Sequence, residues 1–231
     1  MGAFEEFETK MVSIEKEIKD HYSGNLITDE RYKIYYETNE RKIIIDGIVN
    51  NKEFYNSNNR TMWILKEARD EVDNKSGGYN LVNDLNNRRA DGKNRDSWQT
   101  FDKIIYTTYA IENKLNNFNE IKMHASNPAI ASFLRKIAYI NLQKLSATSK
   151  SDNNTIRNHM LHHKEILRKQ ILSISPKIII NASKQNIKEL LNETDLKDIV
   201  LINCNHPSYY FEKSEKFTNK ILGELKNLNK P

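Results

Sequence analysis

The feature that most constrains this fold is a set of four short apolar runs, each ending abruptly in polar side chains. They are Met62-Trp63-Ile64-Leu65, Ile137-Ala138-Tyr139-Ile140, Ile178-Ile179-Ile180 and Ile199-Val200-Leu201-Ile202. Continuous apolar runs of this length, bounded by turn-formers such as Asn56-Ser57-Asn58-Asn59, read as strands buried on both faces. Helical stretches separate them, which predicts right-handed crossovers between parallel strands. The expected fold class is α/β: a three-layer α/β/α sandwich around a central four-stranded parallel sheet. The whole chain, 1–231, is read as a single domain, with 1–60 as a helical segment packed on the core.

In such a sheet the carboxyl ends of the strands lie along one edge, and ligands bind in the crevice there. Here every strand ends in polar side chains: Glu67 and Asp70, Asn141 and Lys144, Asn181 and Ser183, Asn205 and His206. One such ending would be unremarkable, but four together favour a site.

Between the strands, apolar spacing predicts helices over 5–19, 31–39, 97–113, from Pro128 onward, 155–173, 185–191 and 212–228. Asp46-Gly47 reads as a turn, and 81–95 as a polar, basic loop. Two basic clusters stand out: Arg88, Arg89, Lys93 and Arg95 in that loop, and Arg157, His162, His163, Lys164, Arg168 and Lys169 on one helix. Each alone is most simply a solvated face. Together, beside a polar strand edge, they suggest a phosphate-facing surface, which the net charge of +5 permits without requiring. The helix carries His159, His162 and His163 but no partnering carboxylate pattern, so no metal site is expected. The only cysteine, Cys204, allows no disulfide within the chain and no cysteine-held metal cluster. No apolar run approaches the roughly 20 residues of a membrane span. The start of the chain has no signal-like pattern. A cytoplasmic protein is expected, with no membrane partner, and a monomer is favoured.

The motifs, taken in order, resemble those of the uracil-DNA glycosylase superfamily. Lys66-Glu67-Ala68-Arg69-Asp70 is similar to its first motif, Gly-Glu-Ala-Pro-Gly, sharing Glu and Ala. Tyr79, after Gly77-Gly78, resembles its base-stacking aromatic. Tyr139-Ile140-Asn141-Leu142-Gln143-Lys144 resembles the second-strand motif whose Asn hydrogen-bonds the extruded base, and Ser175-Pro176-Lys177 the turn before its third strand. His206-Pro207-Ser208 resembles the closing His-Pro-Ser motif and is the most specific of these matches. The resemblance covers about 61–211. The chain departs from the family in lacking iron–sulfur cysteines, so no cofactor is expected. It also carries Lys66 and Arg69 where the motif has Gly and Pro. Asp70 stands near where uracil-specific relatives place a Tyr that blocks the C5 side of the base, which implies a wider pocket.

The resemblance implies a monofunctional DNA glycosylase that flips out a modified or damaged base and hydrolyses its N-glycosidic bond. One candidate is a C5-modified pyrimidine of phage DNA, which would make the protein an antiviral defence. The alternatives are a uracil-DNA glycosylase of base-excision repair, a non-catalytic nucleic-acid-binding relative, and an unrelated α/β enzyme acting on a small nucleotide. Breaking the bond builds positive charge on the sugar and negative charge on the leaving base. Glu67, with Asp70 as second choice, would stabilise the first and orient water; His206 would donate a hydrogen bond to the second. Tyr79, Asn141, Lys144, Ser208 and Tyr209 complete the expected substrate contacts. Each has a plainer reading: a loop-anchoring Tyr79, an Asn141 that caps the next loop, and an Asp70 paired with Lys66 or Arg69.

Overall fold

The computed structural model describes residues 2–25, 43–69, 80–87, 99–122, 128–147 and 152–228. In chain order the elements are α1 (Ala3–Asn25), β1 (Gly47–Ile48), α2 (Asn51–Tyr55), β2 (Thr61–Arg69), α3 (Leu81–Asn87), α4 (Gln99–Glu112) and α5 (Asn119–Lys122). A 3-10 segment, Pro128–Lys136, leads into β3 (Ala138–Ala147). Then follow α6 (Asn153–His162), α7 (Lys164–Ile174), β4 (Ile178–Asn181), α8 (Glu193–Leu196), β5 (Val200–Asn203) and α9 (Ser214–Leu228).

All four apolar runs are strands, and they run parallel: β2 lies between β3 and β4, and β5 lies outside β4. The sheet is nevertheless mixed and five-stranded, in the order β1-β3-β2-β4-β5, rather than four-stranded and parallel. The added strand is β1, antiparallel to β3, with Gly47 opposite Tyr139. Two residues with no apolar run of their own leave little pattern to read. Asp46-Gly47 enters this edge strand instead of turning the chain, and Gly47 holds a φ of +146° that a side chain would strain.

Side-chain alternation along β2 and β3 sorts the core onto two faces. Trp63, Leu65 and Tyr139 join Ile104, Ile105, Ala110, Phe217 and Ile221, contributed by α4 and α9. Met62, Ile64, Ala138, Ile140 and Leu142 join Ile14, Ile18, Ile156, Met160, Leu167 and Ile171, from α1, α6 and α7. Helices therefore cover both faces of the sheet. Trp63 is fully buried and its indole N–H donates to Thr108 Oγ1 at 3.3 Å, which satisfies its polar atom.

Three helical expectations change. The helix expected over 155–173 breaks at His163 (φ −102°, ψ 23°), whose ring packs among Tyr22, His159 and His162 and bonds His21 across to α1 at 2.9 Å. The helix expected over 185–191 is a short 3-10 turn, Ile187–Glu189, followed by α8. The stretch expected to be a loop from residue 81 begins with α3, which buries Leu85. The helix expected over 31–39 lies outside the described residues. No helix among the described residues is long and apolar enough to cross a membrane.

Candidate functional site

Because β2 to β5 are parallel, their carboxyl ends share one edge of the sheet. Position along a strand decides which side chains face the same way. Leu65 pairs with Asn141 and Glu67 with Gln143, so Glu67, Asn141 and Gln143 project on the face that also carries Tyr139 and α4. Neighbouring strands are about 4.8 Å apart, so Glu67 and Gln143 are immediate neighbours. Glu67 is half-buried.

Asn141 is the unusual member of this group. Its side chain is buried, with the residue 1% exposed, yet neither Nδ2 nor Oδ1 has a hydrogen-bond partner among the described residues. Gln143, 8% exposed, likewise leaves Oε1 buried and unpaired. Buried polar groups are almost always hydrogen-bonded, and each left unmet costs about 1–3 kcal/mol. Two amides, two residues apart on one strand face, are left this way.

Lys144, expected to contact substrate, is placed elsewhere. One residue on from Gln143, it points to the opposite face and is fully buried. Its ammonium donates to Asp46 Oδ1 at 2.6 Å and to Gln170 Oε1 at 2.9 Å. Burial pulls its pKa below the usual lysine range, and the Asp46 charge opposes that pull. Lys144 is thus an internal structural cation rather than a ligand contact. Asp46, missed in the sequence, is the centre of this network. Its Oδ2 accepts the Asn141 backbone N–H at 2.7 Å, and Gln170 Nε2 donates to its Oδ1 at 3.0 Å. Past this point β2 and β3 lose register: Glu67 pairs with Gln143 but Arg69 with Ala147, so two steps of β2 match four of β3.

The other strand ends divide into structural and accessible groups. Asn181 is consumed internally: its Nδ2 donates to Gln185 O and Asn203 Oδ1, and its Oδ1 accepts from Ser183 N and Oγ. Asn205 donates to Glu212 Oε2 at 3.0 Å. His206, by contrast, is half-buried and set in a defined tautomer. Its Nδ1 accepts the Ser208 backbone N–H at 3.2 Å and lies 2.7 Å from Ser208 Oγ. A backbone N–H can only donate, so the neutral ring carries its proton on Nε2, the nitrogen left as a donor. Ser208 therefore acts on His206. Tyr209, Tyr210 and Phe211 are all exposed, the last two at 80% and 82%.

A group of lysines surrounds this loop. Lys103 Nζ donates to the Tyr209 carbonyl at 2.8 Å, and Lys184 Nζ lies 5.8 Å from the Tyr209 ring centre. Burial, and then repulsion from Lys184, lower the Lys66 pKa, while Glu67 opposes the shift. Burial also lowers that of Lys103, against the pull of Glu212. Lys66, Lys103 and Lys184 thus gather beside the carboxyl edge, with Glu67 and Glu212 among them.

The basic helix expected to face phosphate is largely neutralised instead. Arg157 pairs with Glu189 at 2.7 Å, Arg168 with Asp195 at 2.7 Å, and Lys169 with Glu17. His159 and His163 are buried. Among the described residues no group of His, Cys, Asp or Glu is arranged to hold a metal. Asp70, Tyr79, Gly77-Gly78 and the cluster Arg88, Arg89, Lys93 and Arg95 lie outside the described residues.

Sequence reasoning missed Gln143, Lys103, Lys184 and Asp46. Gln143 was open to discovery, because it stands two residues from Asn141 and so shares its face. The others come from separate elements and meet only through the fold. Comparison with family models finds none that matches the chain, and comparisons with curated proteins and with solved structures find no significant match either.

Proposed function

We propose that the chain is a monofunctional DNA glycosylase of the uracil-DNA glycosylase type, acting on a modified base. The observation that carries the proposal is the buried, unpartnered amide of Asn141 at the carboxyl edge, on the same face as Glu67. An amide left with both its donor and its acceptor unmet suits the edge of an extruded base, which offers both groups.

In this reading Lys66, Lys103 and Lys184 hold the DNA backbone, and the base leaves the stack to meet Asn141. Glu67 stabilises positive charge growing on the sugar and accepts a proton from the water that attacks C1′. The C–N bond breaks with its electron pair passing to the base. His206 donates from Nε2 to that anion, a role its tautomer supports. The aromatics Tyr209 to Phe211, which are exposed, press on the duplex beside the vacated position in this reading.

The test is incubation with duplexes carrying uracil, 5-hydroxymethylcytosine or glucosylated cytosine, and with modified phage DNA, followed by alkaline cleavage of abasic sites. Abasic product from at least one substrate is expected. Its absence from all of them, with DNA binding retained, would replace the enzyme with a non-catalytic binding protein.

A further inference from the structure

The second amide at the site has a chemical meaning of its own. We propose that Gln143 is a specificity-determining residue that selects bases bearing an exocyclic amino group. This deepens the base-excision reading above and rests on it for the position of the base.

Among the described residues, three polar atoms at the carboxyl end of this face are buried and unmet, the donor Asn141 Nδ2 and the acceptors Asn141 Oδ1 and Gln143 Oε1; Thr61 Oγ1, at the opposite end of β2, is a fourth on the face. Gln143 follows Asn141 by two residues and stands in register with Glu67, so the two amides project side by side on one face of the strand. Their complement is a ligand edge with one acceptor and two donor hydrogens. Uracil and thymine present one N–H between two carbonyls, so they satisfy the Asn141 amide alone and leave Gln143 Oε1 unmet or facing another oxygen. A base with an amino group supplies the second donor hydrogen. Cytosine-type bases offer N3 with the two hydrogens of the 4-amino group; guanine-type bases offer O6 with N1–H and the 2-amino group. A site built to receive a donor rejects an analogue lacking it more strongly than an apolar pocket rejects a change of size, because its own acceptor is left stranded.

The experiment uses two matched pairs of duplexes, each target placed opposite the same abasic analogue so that extrusion costs are similar. One pair is 5-hydroxymethylcytosine and 5-hydroxymethyluracil; the other is 8-oxoguanine and 8-oxohypoxanthine. The purine pair differs by the 2-amino group alone; in the pyrimidine pair the 4-amino group becomes a carbonyl and N3 changes from acceptor to donor. Both abasic-site formation and equilibrium affinity are read for the full chain. The amino member of one pair should be favoured by at least about tenfold in rate or affinity, and the pair that shows it tells pyrimidine from purine. Gln143→Leu should reduce that preference to about twofold or less by weakening the amino member alone. Gln143→Glu keeps an acceptor at the position and should retain the preference. Equal handling of both members in both pairs overturns the inference, and so does an unchanged preference in Gln143→Leu. An amino preference in affinity without abasic product leaves Gln143 as the selector and refutes excision. Abasic product without amino preference refutes the selector and leaves excision intact.

Discussion

Replacing Asn141 by Leu tests the proposed recognition role of its amide through the stability of the fold, with no substrate required. Leu has the same branched outline as Asn but no polar atoms, so the change removes one donor and one acceptor that are buried without partners. Each unmet group costs about 1–3 kcal/mol, and the added apolar burial acts in the same direction. Allowing for a poor fit of the two methyl groups, the variant should be more stable by about 1–3 kcal/mol. For a chain of this size that raises Tm by roughly 2–10 °C. The backbone N–H of residue 141 keeps its bond to Asp46, so the strand stays in place. The assay is urea unfolding without ligand, with the midpoint expected to rise at unchanged slope. Asn181 is the control, since the same residue type on β4, across β2 from Asn141, has its amide fully engaged with Gln185, Asn203 and Ser183. Asn181→Leu should destabilise by about 2–4 kcal/mol. If Asn141→Leu also destabilised by more than about 1 kcal/mol, its amide would be a structural one and the proposed recognition role would have no basis.

Lys144→Met should cost about 3–5 kcal/mol by leaving Asp46 buried and uncompensated, and pairing it with Asp46→Asn should recover part of that loss in a double-mutant cycle; a near-neutral single variant would refute the internal role. Glu67→Gln and His206→Ala should each lower base release by at least about a hundredfold while DNA affinity stays within a few-fold, and full turnover in both would dismiss these assignments. DNA affinity should fall steeply as salt rises from 50 to 200 mM, on the order of tenfold for every two phosphates neutralised, with Lys184→Ala flattening the slope. Burial pushes the Cys204 thiol up to about 12 from 9.0. In the unfolded chain the thiol loses its proton at lower pH, so this group's contribution to stability declines as pH rises above 9. Alkylation at pH 9 should therefore require unfolding, and rapid labelling of the native protein would contradict the burial.

The strands were legible because four apolar runs carry their own evidence of burial, and their polar ends fixed which edge to inspect. Edge strand β1 was not, since two residues become a strand only by pairing with β3. The break at His163 was hidden for a related reason: the apolar stripe continues through it, and the ring contact made there is with α1, 142 residues away in sequence. At the site, polarity at a strand end proved too coarse a criterion. Asn141 and Lys144 were grouped together although an odd offset puts them on opposite faces. Asn181 looked equivalent to Asn141 in sequence, and only its hydrogen bonds identify it as a brace for the next loop. The charge of the basic helix was read correctly as composition and misplaced as function, because Glu17, Glu189 and Asp195 come from distant segments to pair with it.

The two faces of β3 also separate two kinds of evolutionary freedom. Leu142 and Lys144 face inward, and Lys144 is bound to Asp46, which in turn fixes the backbone at Asn141. Changes there would disturb folding and reading together, so that face is closed to gradual exploration. Residue 143 has no such debt to the core. If the chain selects bases as proposed, a lineage facing a changed set of bases could alter its preference at this one position while the strand beneath it stays fixed, and a laboratory seeking a new target base would begin by randomising the same codon.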